Sequence, residues 1–322
     1  MAELTGNLGM EFEDLKPMLD HVTIEMPAMK NIIEKRHSHI RIDETAQIDS
    51  LLKAVTCIDL TTLCGDDTEC NVKNLCHKAK NPLQQSLLDS LGINYEEFHV
   101  AAVCVYPARI SNCVETLTNI NADVKVAAVA AGFPSAQYFL STKLKEIELC
   151  VLNGANEIDI VISRDLVLEG KFKELYDEVK AMKNVCGSSV TLKTIIAAGE
   201  LGSLENVYKA SLICMAAGSD FIKTSTGKEA VNATLLIAKT MAQAIKEYYN
   251  KTGFEVGFKP AGGIRTVKDV LLFQDLIKKE LGSKWMHPHL FRIGASGLLR
   301  DIERKIFEHV TGYAPANHLF TY

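Results

Sequence analysis

The stretch VTLKTIIAAGELGSLENVYKASLICMAAGSDFIKTS (190–225) contains the pattern that decides the fold. Its two ends, VTLKTII (190–196) and DFIKTS (220–225), are short runs rich in apolar and β-branched residues, as in buried strands. Between them, SLENVYKASLICMAAG (203–218) has the apolar spacing of a helix. Two strands joined through a helix run parallel, because a parallel pair needs a long crossover connection. The stretch therefore predicts a β–α–β unit.

The same unit recurs along most of the chain. Six further strands are predicted at 54–60, 100–106, 124–131, 157–162, 255–259 and 290–294. Each is followed by a segment of helical periodicity, and eight such units close a (β/α)8 barrel. The predicted fold class is therefore α/β, a (β/α)8 TIM barrel. We predict three regions: a partly helical N-terminal extension (1–50), the barrel (51–311) and a C-terminal tail (312–322).

An open, doubly wound sheet is the alternative architecture. Such sheets usually carry the pattern G-x-G-x-x-G after the first strand, whereas this chain has TTLCGDDTEC (61–70), with one glycine. The formal net charge of -5 argues against a nucleic-acid partner. No apolar run approaches the roughly 20 residues that span a bilayer, and the N-terminus lacks an apolar signal core. A cytoplasmic protein without a membrane partner is expected.

Nine cysteines raise the question of disulfides or a zinc site. Cys64, Cys70 and Cys76 are separated by five residues each, with His77 adjacent to the last. Paired zinc ligands usually have about two to four residues between them. We therefore expect free thiols in a reducing compartment and no metal.

The carboxyl ends of the predicted strands carry chemically active side chains, and barrels of this type have their active sites at that face. Taken singly, a strand-end lysine often extends to solvent and an aspartate often caps the next helix. Three lysines and two aspartates on five strands, however, are expected to converge on one mouth. The strand-end side chains are Asp59, Cys104, Tyr106, Asp159, Lys193, Lys223 and Lys259.

Lys223 and Lys259 form the pattern of an activated amine. A free lysine has a pKa of about 10.4, and both burial and a neighbouring cation lower it. Lys223 follows two apolar residues, and Lys259 lies on the next predicted strand. An unprotonated Lys223 would attack a carbonyl to form a Schiff base, which is an electron sink for making or breaking a carbon–carbon bond. Asp159 is placed to move the protons.

Three glycine-bearing turns follow the last three strands: TSTGK (224–228), PAGGI (260–264) and GASG (294–297). Phosphate sites of barrels are often built from these last loops and a helix N-terminus. We therefore expect a phosphate site here, in which Lys228 is either a contact or a solvated surface lysine. TSTGK is not an ATP-binding loop, because the nearest earlier glycine, Gly218, is too far upstream.

Together these motifs resemble the deoxyribose-phosphate aldolases, a family of class I aldolases. The resemblance covers about residues 50–310, and animal-type members are similar in having an N-terminal extension. It implies a barrel that reversibly cleaves 2-deoxy-D-ribose 5-phosphate to D-glyceraldehyde 3-phosphate and acetaldehyde, without metal or cofactor, in deoxyribose phosphate catabolism. The segments that carry it are CIDLTTL (57–63), AAVCVYPAR (101–109), NEIDIVI (156–162), LKTIIAAGEL (192–201), DFIKTSTGK (220–228), VGFKPAGGIR (256–265) and RIGASGLL (292–299).

The resemblance also implies residue roles. Lys223 matches the Schiff-base lysine, Lys259 its proton relay and pKa depressor, and Asp159 the aspartate that moves protons through a water. Further matching active-site positions are Asp59, Cys104 and Lys193, and matching phosphate-binding positions are Gly227, Gly262, Gly263, Gly294 and Ser296. Gly297 departs from the family, since many members have a hydroxyl residue there. Tyr322 ends the chain as a tyrosine ends some bacterial members, but the preceding tail differs.

Two other functions stay open at this point. One is a transaldolase-like Schiff-base enzyme for another sugar phosphate, and the other is a non-catalytic scaffold that binds a sugar phosphate. A scaffold would be expected to have lost a lysine or aspartate of the site, and none is lost. A homo-oligomer, most simply a dimer, is expected because dimers are common among such barrels.

Overall fold

Eight parallel strands form one sheet in the order β7-β6-β5-β4-β3-β2-β1-β8. The structure is a computed structural model, and it describes residues 6–20, 22, 24, 44–316 and 320. Parallel bridges from Phe258 to Phe291 and from Ala261 to Gly294 join the two ends of the sheet. The predicted (β/α)8 barrel is therefore confirmed. The strands are β1 (Ile58–Thr61), β2 (Ala102–Val105), β3 (Lys125–Ala130), β4 (Glu157–Val161), β5 (Thr191–Ile195), β6 (Phe221–Lys223), β7 (Gly257–Lys259) and β8 (Ile293–Ala295).

Helices surround the sheet, and side-chain caps begin several of them. Thr68, Ser203, Thr234 and Thr266 each accept a backbone amide hydrogen bond at a helix start, which satisfies a donor that has no partner within the helix. Among the described helices, none is long and apolar enough to cross a membrane. They are α1 (Phe12–Asp20), α2 (Glu44–Thr56), α3 (Glu69–Lys80), α4 (Gln85–Ser90), α5 (Ile110–Asn119), α6 (Leu140–Leu152), α7 (Arg164–Leu168), α8 (Phe172–Cys186), α9 (Leu204–Ala216), α10 (Leu235–Thr252), α11 (Val267–Leu281) and α12 (Leu298–Thr311).

The first strand starts later than the sequence predicted. Residues 54–56 are the last turn of α2, and β1 begins at Ile58, so the start of the predicted strand 54–60 is wrong. Ala54 and Val55 are fully buried, and α2 packs against α11 and α12. A short apolar run does not distinguish a buried helix end from a strand. The predicted boundary between residues 50 and 51 also falls inside this helix.

The barrel wall has two chemically different faces, because alternate residues of a strand point to opposite sides. The outward residues join the helices in one large apolar core, which includes Ile58, Val103, Ile158, Leu192, Ile222, Phe258 and Ile293. The inward residues of β2 and β3 are small or apolar: Ala102, Cys104, Ala127 and Val129. The inward residues of the other strands are largely charged, as described below.

Asn7 fastens the N-terminal segment to the base of β6. Its Nδ2 donates hydrogen bonds to the carbonyl oxygens of Met215, at 2.7 Å, and Ser219, at 2.9 Å. Its Oδ1 accepts from the hydroxyl of Tyr248 at 2.9 Å and from the amide of Gly9 at 3.1 Å. Because Met215 lies in α9 and Ser219 precedes β6, the described N-terminal residues are part of the barrel packing.

The next residues extend this contact along the outside of the barrel. The amide of Met10 donates to the carbonyl of Ala216 at 2.9 Å. Gly9 has a φ of +77°, and a Cβ at this position would lie 2.4 Å from the Ala216 oxygen, so glycine is required. α1 then packs on α9, and the ring of Phe12 lies 5.5 Å from that of Tyr176 in α8.

Replacing Asn7 with Ala should destabilise the protein through the loss of these hydrogen bonds. The buried carbonyl of Ser219 would lose its Asn7 donor and the buried hydroxyl of Tyr248 its Asn7 acceptor, which costs about 2–3 kcal/mol of the free energy of unfolding. Urea denaturation measures the change. Leu8→Ala is the matched control, because Leu8 is 78% exposed and its truncation should change the free energy of unfolding by less than about 0.5 kcal/mol. Equal stabilities of the two variants would contradict the anchoring role.

Candidate active site

Side chains from five strands of the barrel meet in its interior. Each is a residue that the sequence placed at a strand end, and the structure brings all of them together. Lys223 is 3% exposed and the others are fully buried, so the group is shielded from bulk water. The members are Asp59 from β1, Asp159 from β4, Lys193 from β5, Lys223 from β6 and Lys259 from β7.

Lys223 and Lys259 share one carboxylate oxygen. Nζ of Lys223 lies 2.8 Å from Oδ2 of Asp159, and Nζ of Lys259 lies 2.7 Å from the same oxygen. The two lysines are paired across adjacent strands in the register of β6 and β7, which is why their ammonium groups come together. The predicted neighbour relation between them is present in the structure.

The other two predicted residues complete the surroundings of Asp159. Nζ of Lys193 donates to Oδ1 of Asp159 at 2.8 Å and lies 3.1 Å from Oδ2 of Asp59. Lys259 also donates to Asp59. Asp159 therefore accepts hydrogen bonds from three lysines, Lys193, Lys223 and Lys259.

Glu157 and Arg292 belong to the same network, although sequence reasoning missed them. Oε2 of Glu157 lies 2.6 Å from Nζ of Lys193, and its Oε1 accepts from Nη2 of Arg292 at 2.7 Å. Nη1 of Arg292 donates to Oδ1 of Asp59, also at 2.7 Å. Barrel architecture directs attention to the carboxyl ends of the strands, whereas Glu157 begins β4 and Arg292 precedes β8. The spacing of two between Glu157 and Asp159 was the available signal, since it places both on one face of the strand.

The environment separates Lys223 from the other lysines. Burial lowers the pKa of Lys223, Asp159 opposes this effect, and the positive charge of Lys259 adds to it, so the pKa falls below its ordinary value. Burial also acts against the charge of Lys259, but Asp159 and Asp59 outweigh it and raise the pKa. The pKa of Lys193 is raised well above its ordinary value in the same way. Lys223 is thus the lysine of this group that most readily loses its proton.

Asp159 stays ionised despite its complete burial. Desolvation disfavours its charge, but Lys193, Lys223 and Lys259 outweigh it and hold the pKa of this carboxyl well below its ordinary value. A carboxylate that is ionised at rest and lies within hydrogen-bond distance of the Lys223 amine can accept a proton transiently and return it.

Cys104 is an apolar element of the site. It is fully buried, and desolvation raises the pKa of its thiol, so it is not the low-pKa thiolate of a reactive cysteine. It packs with the small inward residues of β2 and β3, next to Tyr106 and Phe133, whose rings are 5.8 Å apart. In the strand order, β2 and β3 lie opposite β6 and β7. The interior therefore has an apolar wall that faces the lysines.

The three glycine-bearing loops at the same end of the barrel are neighbours. The amide of Ala261 donates to the hydroxyl of Thr224 at 3.0 Å, which ties the loop after β7 to the loop after β6. The bridge from Ala261 to Gly294 ties it to β8. Gly262 has a φ of +81°, and a Cβ there would lie 2.6 Å from Oδ1 of Asn232, so no other residue fits.

Two of the amides that the resemblance implied for phosphate already have acceptors within the protein. The amide of Gly227 donates to Oε2 of Glu229 at 3.1 Å, and the amide of Gly294 donates to the carbonyl of Pro260 at 2.9 Å. The amide of Thr226 also donates to Oε1 of Glu229, at 3.0 Å. A buried carboxylate of the protein therefore occupies the position at the amides of Thr226 and Gly227 that an anionic ligand could take.

The remaining predicted positions differ in their surroundings. Gly263 has a φ of +83°, and Ser296 and Gly297 precede α12, which begins without a side-chain cap. The first amides of α12 thus have no capping oxygen and point towards the carboxyl end of the barrel. Lys228 is exposed, and its Nζ donates to the carbonyl of Leu63 at 3.1 Å, which links the loops after β6 and β1. Tyr322 lies outside the described residues.

A lysine of lowered pKa beside a second lysine, at the carboxyl end of a (β/α)8 barrel, defines a class of enzyme that reacts with carbonyl compounds through an amine. Residues 53–307 match the model of the family described as DeoC/LacD family aldolase. The chain belongs to this family.

Known proteins agree with this assignment. The chain is 54% identical over 300 residues to deoxyribose-phosphate aldolase of Bos taurus, covering 93% of this chain and 94% of that protein. It is 52% identical to deoxyribose-phosphate aldolase of Homo sapiens, with the same coverage of 93% and 94%. The tetrameric structure of deoxyribose phosphate aldolase from Aeropyrum pernix has a TM-score of 0.60 and 21% identity, covering 83% of this chain and 98% of that chain, and this likeness supports the fold alone.

Replacing Lys259 with Met should move the pH dependence of activity. The positive charge of Lys259, which helps to lower the pKa of Lys223, would be lost, and the pKa of Lys223 would rise. Because the unprotonated amine predominates only above its pKa, the acid limb of kcat/KM should move to higher pH. At a pH below the pKa, a rise of about 1 in the pKa lowers the rate about tenfold. A pH series of the rate measures it. Lys228→Met removes an exposed lysine and should leave the limb in place; a limb that is unmoved in Lys259→Met would contradict the pairing.

Proposed function

We propose that this protein cleaves 2-deoxy-D-ribose 5-phosphate reversibly to D-glyceraldehyde 3-phosphate and acetaldehyde through a Schiff base on Lys223. The observation that carries the proposal is the shared Oδ2 of Asp159, within 2.8 Å of Lys223 and 2.7 Å of Lys259. It gives one amine of lowered pKa a fixed neighbouring cation and a fixed carboxylate. The names of the relatives supply the substrate.

The proposed reaction begins with attack of the Lys223 nitrogen on C1 of the open-chain sugar, and loss of water gives an iminium ion. The C2–C3 bond then breaks, its electron pair moves towards the iminium nitrogen, and the C3 hydroxyl gives up its proton to a base. D-glyceraldehyde 3-phosphate leaves. The remaining enamine takes a proton at C2, and hydrolysis of the new iminium releases acetaldehyde and the free amine.

The residues of the barrel interior fit these steps. Asp159 is ionised and contacts the Lys223 nitrogen, so it can receive and return protons, directly or through a water. The small apolar wall of β2 and β3 suits the methyl group that develops as acetaldehyde forms. No observation favours a transaldolase-like enzyme or a binding scaffold over this reaction.

The phosphate group of the substrate is proposed to bind the loops after β7 and β8. Gly262, Gly263 and Ser296, with the first amides of α12, offer backbone donors at a helix N-terminus. We propose that Lys228 attracts the phosphate by its charge from a distance, because its ammonium group donates to the carbonyl of Leu63. Glu229 is expected to weaken anion binding at the loop after β6, since its carboxylate occupies those amides.

We further propose that the protein is a homo-oligomer, with a dimer as the first expectation, and that it acts in the cytoplasm in deoxyribose phosphate catabolism. Multi-angle light scattering of the purified chain measures the number of subunits.

Borohydride reduction in the presence of 2-deoxy-D-ribose 5-phosphate should trap a covalent adduct on Lys223. Peptide mapping by mass spectrometry locates it, and Lys223→Ala should lose both the adduct and cleavage activity. Lys193→Met is a control for site selection, because the raised pKa of Lys193 makes it a poor nucleophile and the adduct should remain on Lys223. A panel of other sugar phosphates and acceptor aldehydes tests the transaldolase-like alternative. An adduct that persists in Lys223→Ala would refute the proposed role.

Replacing Glu229 with Val should strengthen phosphate binding, because the amides of Thr226 and Gly227 would lose their internal acceptor. We expect a several-fold fall in the inhibition constant of orthophosphate, of the order of one charged hydrogen bond at about 1–2 kcal/mol. Glu229→Gln keeps an acceptor of the same shape without the charge and should lie between wild type and Glu229→Val. If orthophosphate binds Glu229→Val more weakly than wild type, the carboxylate supports the site rather than competing for it.

A further inference from the structure

We propose that Arg292 and Glu157, at the amino-terminal end of the barrel interior, set the protonation of Lys223 by fixing the charge count of the interior. This makes both of them positioning residues for the reaction, since neither contacts the amine. The inference rests on the proposed role of Lys223 as the nucleophile. It assigns a chemical role to a pair that lies at the end of the barrel opposite the reacting amine.

The count of charges is unbalanced by one. Within the described residues, the interior network contains four basic side chains and three carboxylates. If all seven groups were ionised, one positive charge would have no counter-ion in a buried space, which is unfavourable. The excess is removed if one lysine loses its proton. The basic groups are Lys193, Lys223, Lys259 and Arg292, and the carboxylates are Asp59, Glu157 and Asp159.

The contacts decide which lysine gives up its proton. Lys193 contacts all three carboxylates, and Lys259 contacts two of them. Lys223 contacts one, Asp159, at 2.8 Å. Arg292 is a permanent cation that shares Glu157 and Asp59 with Lys193 and Lys259, so these two carboxylates already serve three cations and neither contacts Lys223. The lysine that loses its proton is therefore Lys223.

The packing holds Arg292 directly below the strand that carries Lys223. Its guanidinium group lies over the ring of Phe221, 5.7 Å from the centroid, and Phe221 is the first residue of β6. The ring fills the space beside Gly257, where a Cβ would lie 2.3 Å from it. With its position over Phe221 and two hydrogen bonds to Glu157, the guanidinium group has little freedom to move.

Other charged or titratable groups near these residues do not change the count. Besides the three lysines and Asp159, the element facing Lys223 from β2 contributes Cys104, a protonated thiol whose pKa burial raises. Near Arg292, burial lowers the pKa of His289, with His287 acting in the same direction, so His289 is neutral at pH 7. Asp220, at the base of β6, is compensated by Lys183 at 2.6 Å.

Water has access to the amino-terminal side of the pair. A cavity of about 700 Å³ lies at this end of the barrel, and Glu157, Arg292, Phe221 and His289 are among its walls. Water in this cavity can hydrate the partner that a substitution leaves behind, so single substitutions need not leave an isolated charge in a dry core. The pair can therefore be tested by substitution in the intact protein.

The experiment uses four variants of the full chain. Arg292→Met removes one positive charge, Glu157→Gln removes one negative charge, and the double variant removes both. Arg292→Lys keeps the charge but loses the two-bond geometry. Two quantities are measured in each: the pH of the acid limb of kcat/KM, and the pH dependence of carbamylation of Lys223 by cyanate, followed by peptide mapping. The second needs no substrate. Thermal denaturation establishes that each variant is folded.

The charge count predicts changes of opposite sign. Arg292→Met should raise the pKa of Lys223 and move both pH dependences to higher pH by about 1, which is a tenfold fall in the unprotonated fraction of the amine at a pH below its pKa. Glu157→Gln should move them by a similar amount to lower pH. The double variant restores the original excess of one positive charge, so both pH dependences should lie close to those of wild type. Arg292→Lys keeps the charge, so its pH dependences should also match wild type.

A structural role for the pair predicts something else. In that case both single variants lose kcat without a change in the position of the limb, and the double variant is at least as impaired as either; this result would overturn the proposal. Changes of the same sign in the two single variants would overturn it too. If wild type forms no adduct with 2-deoxy-D-ribose 5-phosphate, the proposed function fails, but cyanate still reports the pKa of Lys223 and tests the charge count separately.

Discussion

The excess of one positive charge inside the barrel is the constraint on which the rest of the site depends. A buried ion pair is stabilising only when its partners and hydrogen bonds are well placed, since desolvation cancels most of the electrostatic gain. Here each carboxylate accepts from at least two basic groups, and the register of neighbouring strands holds these contacts. The network has too few carboxylates for its cations, and the lysine affected is Lys223. The same deficit that lowers the stability of the ionised site favours an unprotonated Lys223, as its proposed role requires.

The fold makes this arrangement possible because different strands contribute different kinds of side chain. β2 and β3 contribute alanine, valine and cysteine, which leave room and supply an apolar wall. β1 and β4 to β7 contribute the charged groups, with Arg292 just before β8. The large apolar core between barrel and helices holds these strands in register, and Asn7 fixes the base of β6 from outside. The position of Lys223 therefore depends on residues of the apolar core and on Asn7, which have no part in the charged network.

Much of the fold and of the candidate site could be predicted from the sequence, because the apolar patterns of the strands and of the helices are both strong. The alternation of strand and helix predicted the barrel, and the carboxyl ends of the strands led to Asp159, Lys223 and Lys259. Glu157 and Arg292 were missed, because a search of strand ends does not reach the amino-terminal end of the interior. Residues 54–56 were misread as strand, since burial makes a helix end and a strand equally apolar. The hydrogen bond from the Gly227 amide to Glu229 depends on the conformation of one turn. The residue types in that turn do not predict it.

The distances along the chain between interacting residues have a consequence for how the protein folds during its synthesis. Asp59 pairs with Lys259, which follows 200 residues later, and with Arg292, which follows 233 residues later. Asn7 is separated by 241 residues from Tyr248, whose hydroxyl donates a hydrogen bond to it. A nascent chain that ends before β8 holds its first carboxylates without their last cation, and it cannot close the barrel around them. Contacts of such long range favour slow, late closure. We expect the ribosome to have released nearly the whole barrel before Lys223 acquires its lowered proton affinity.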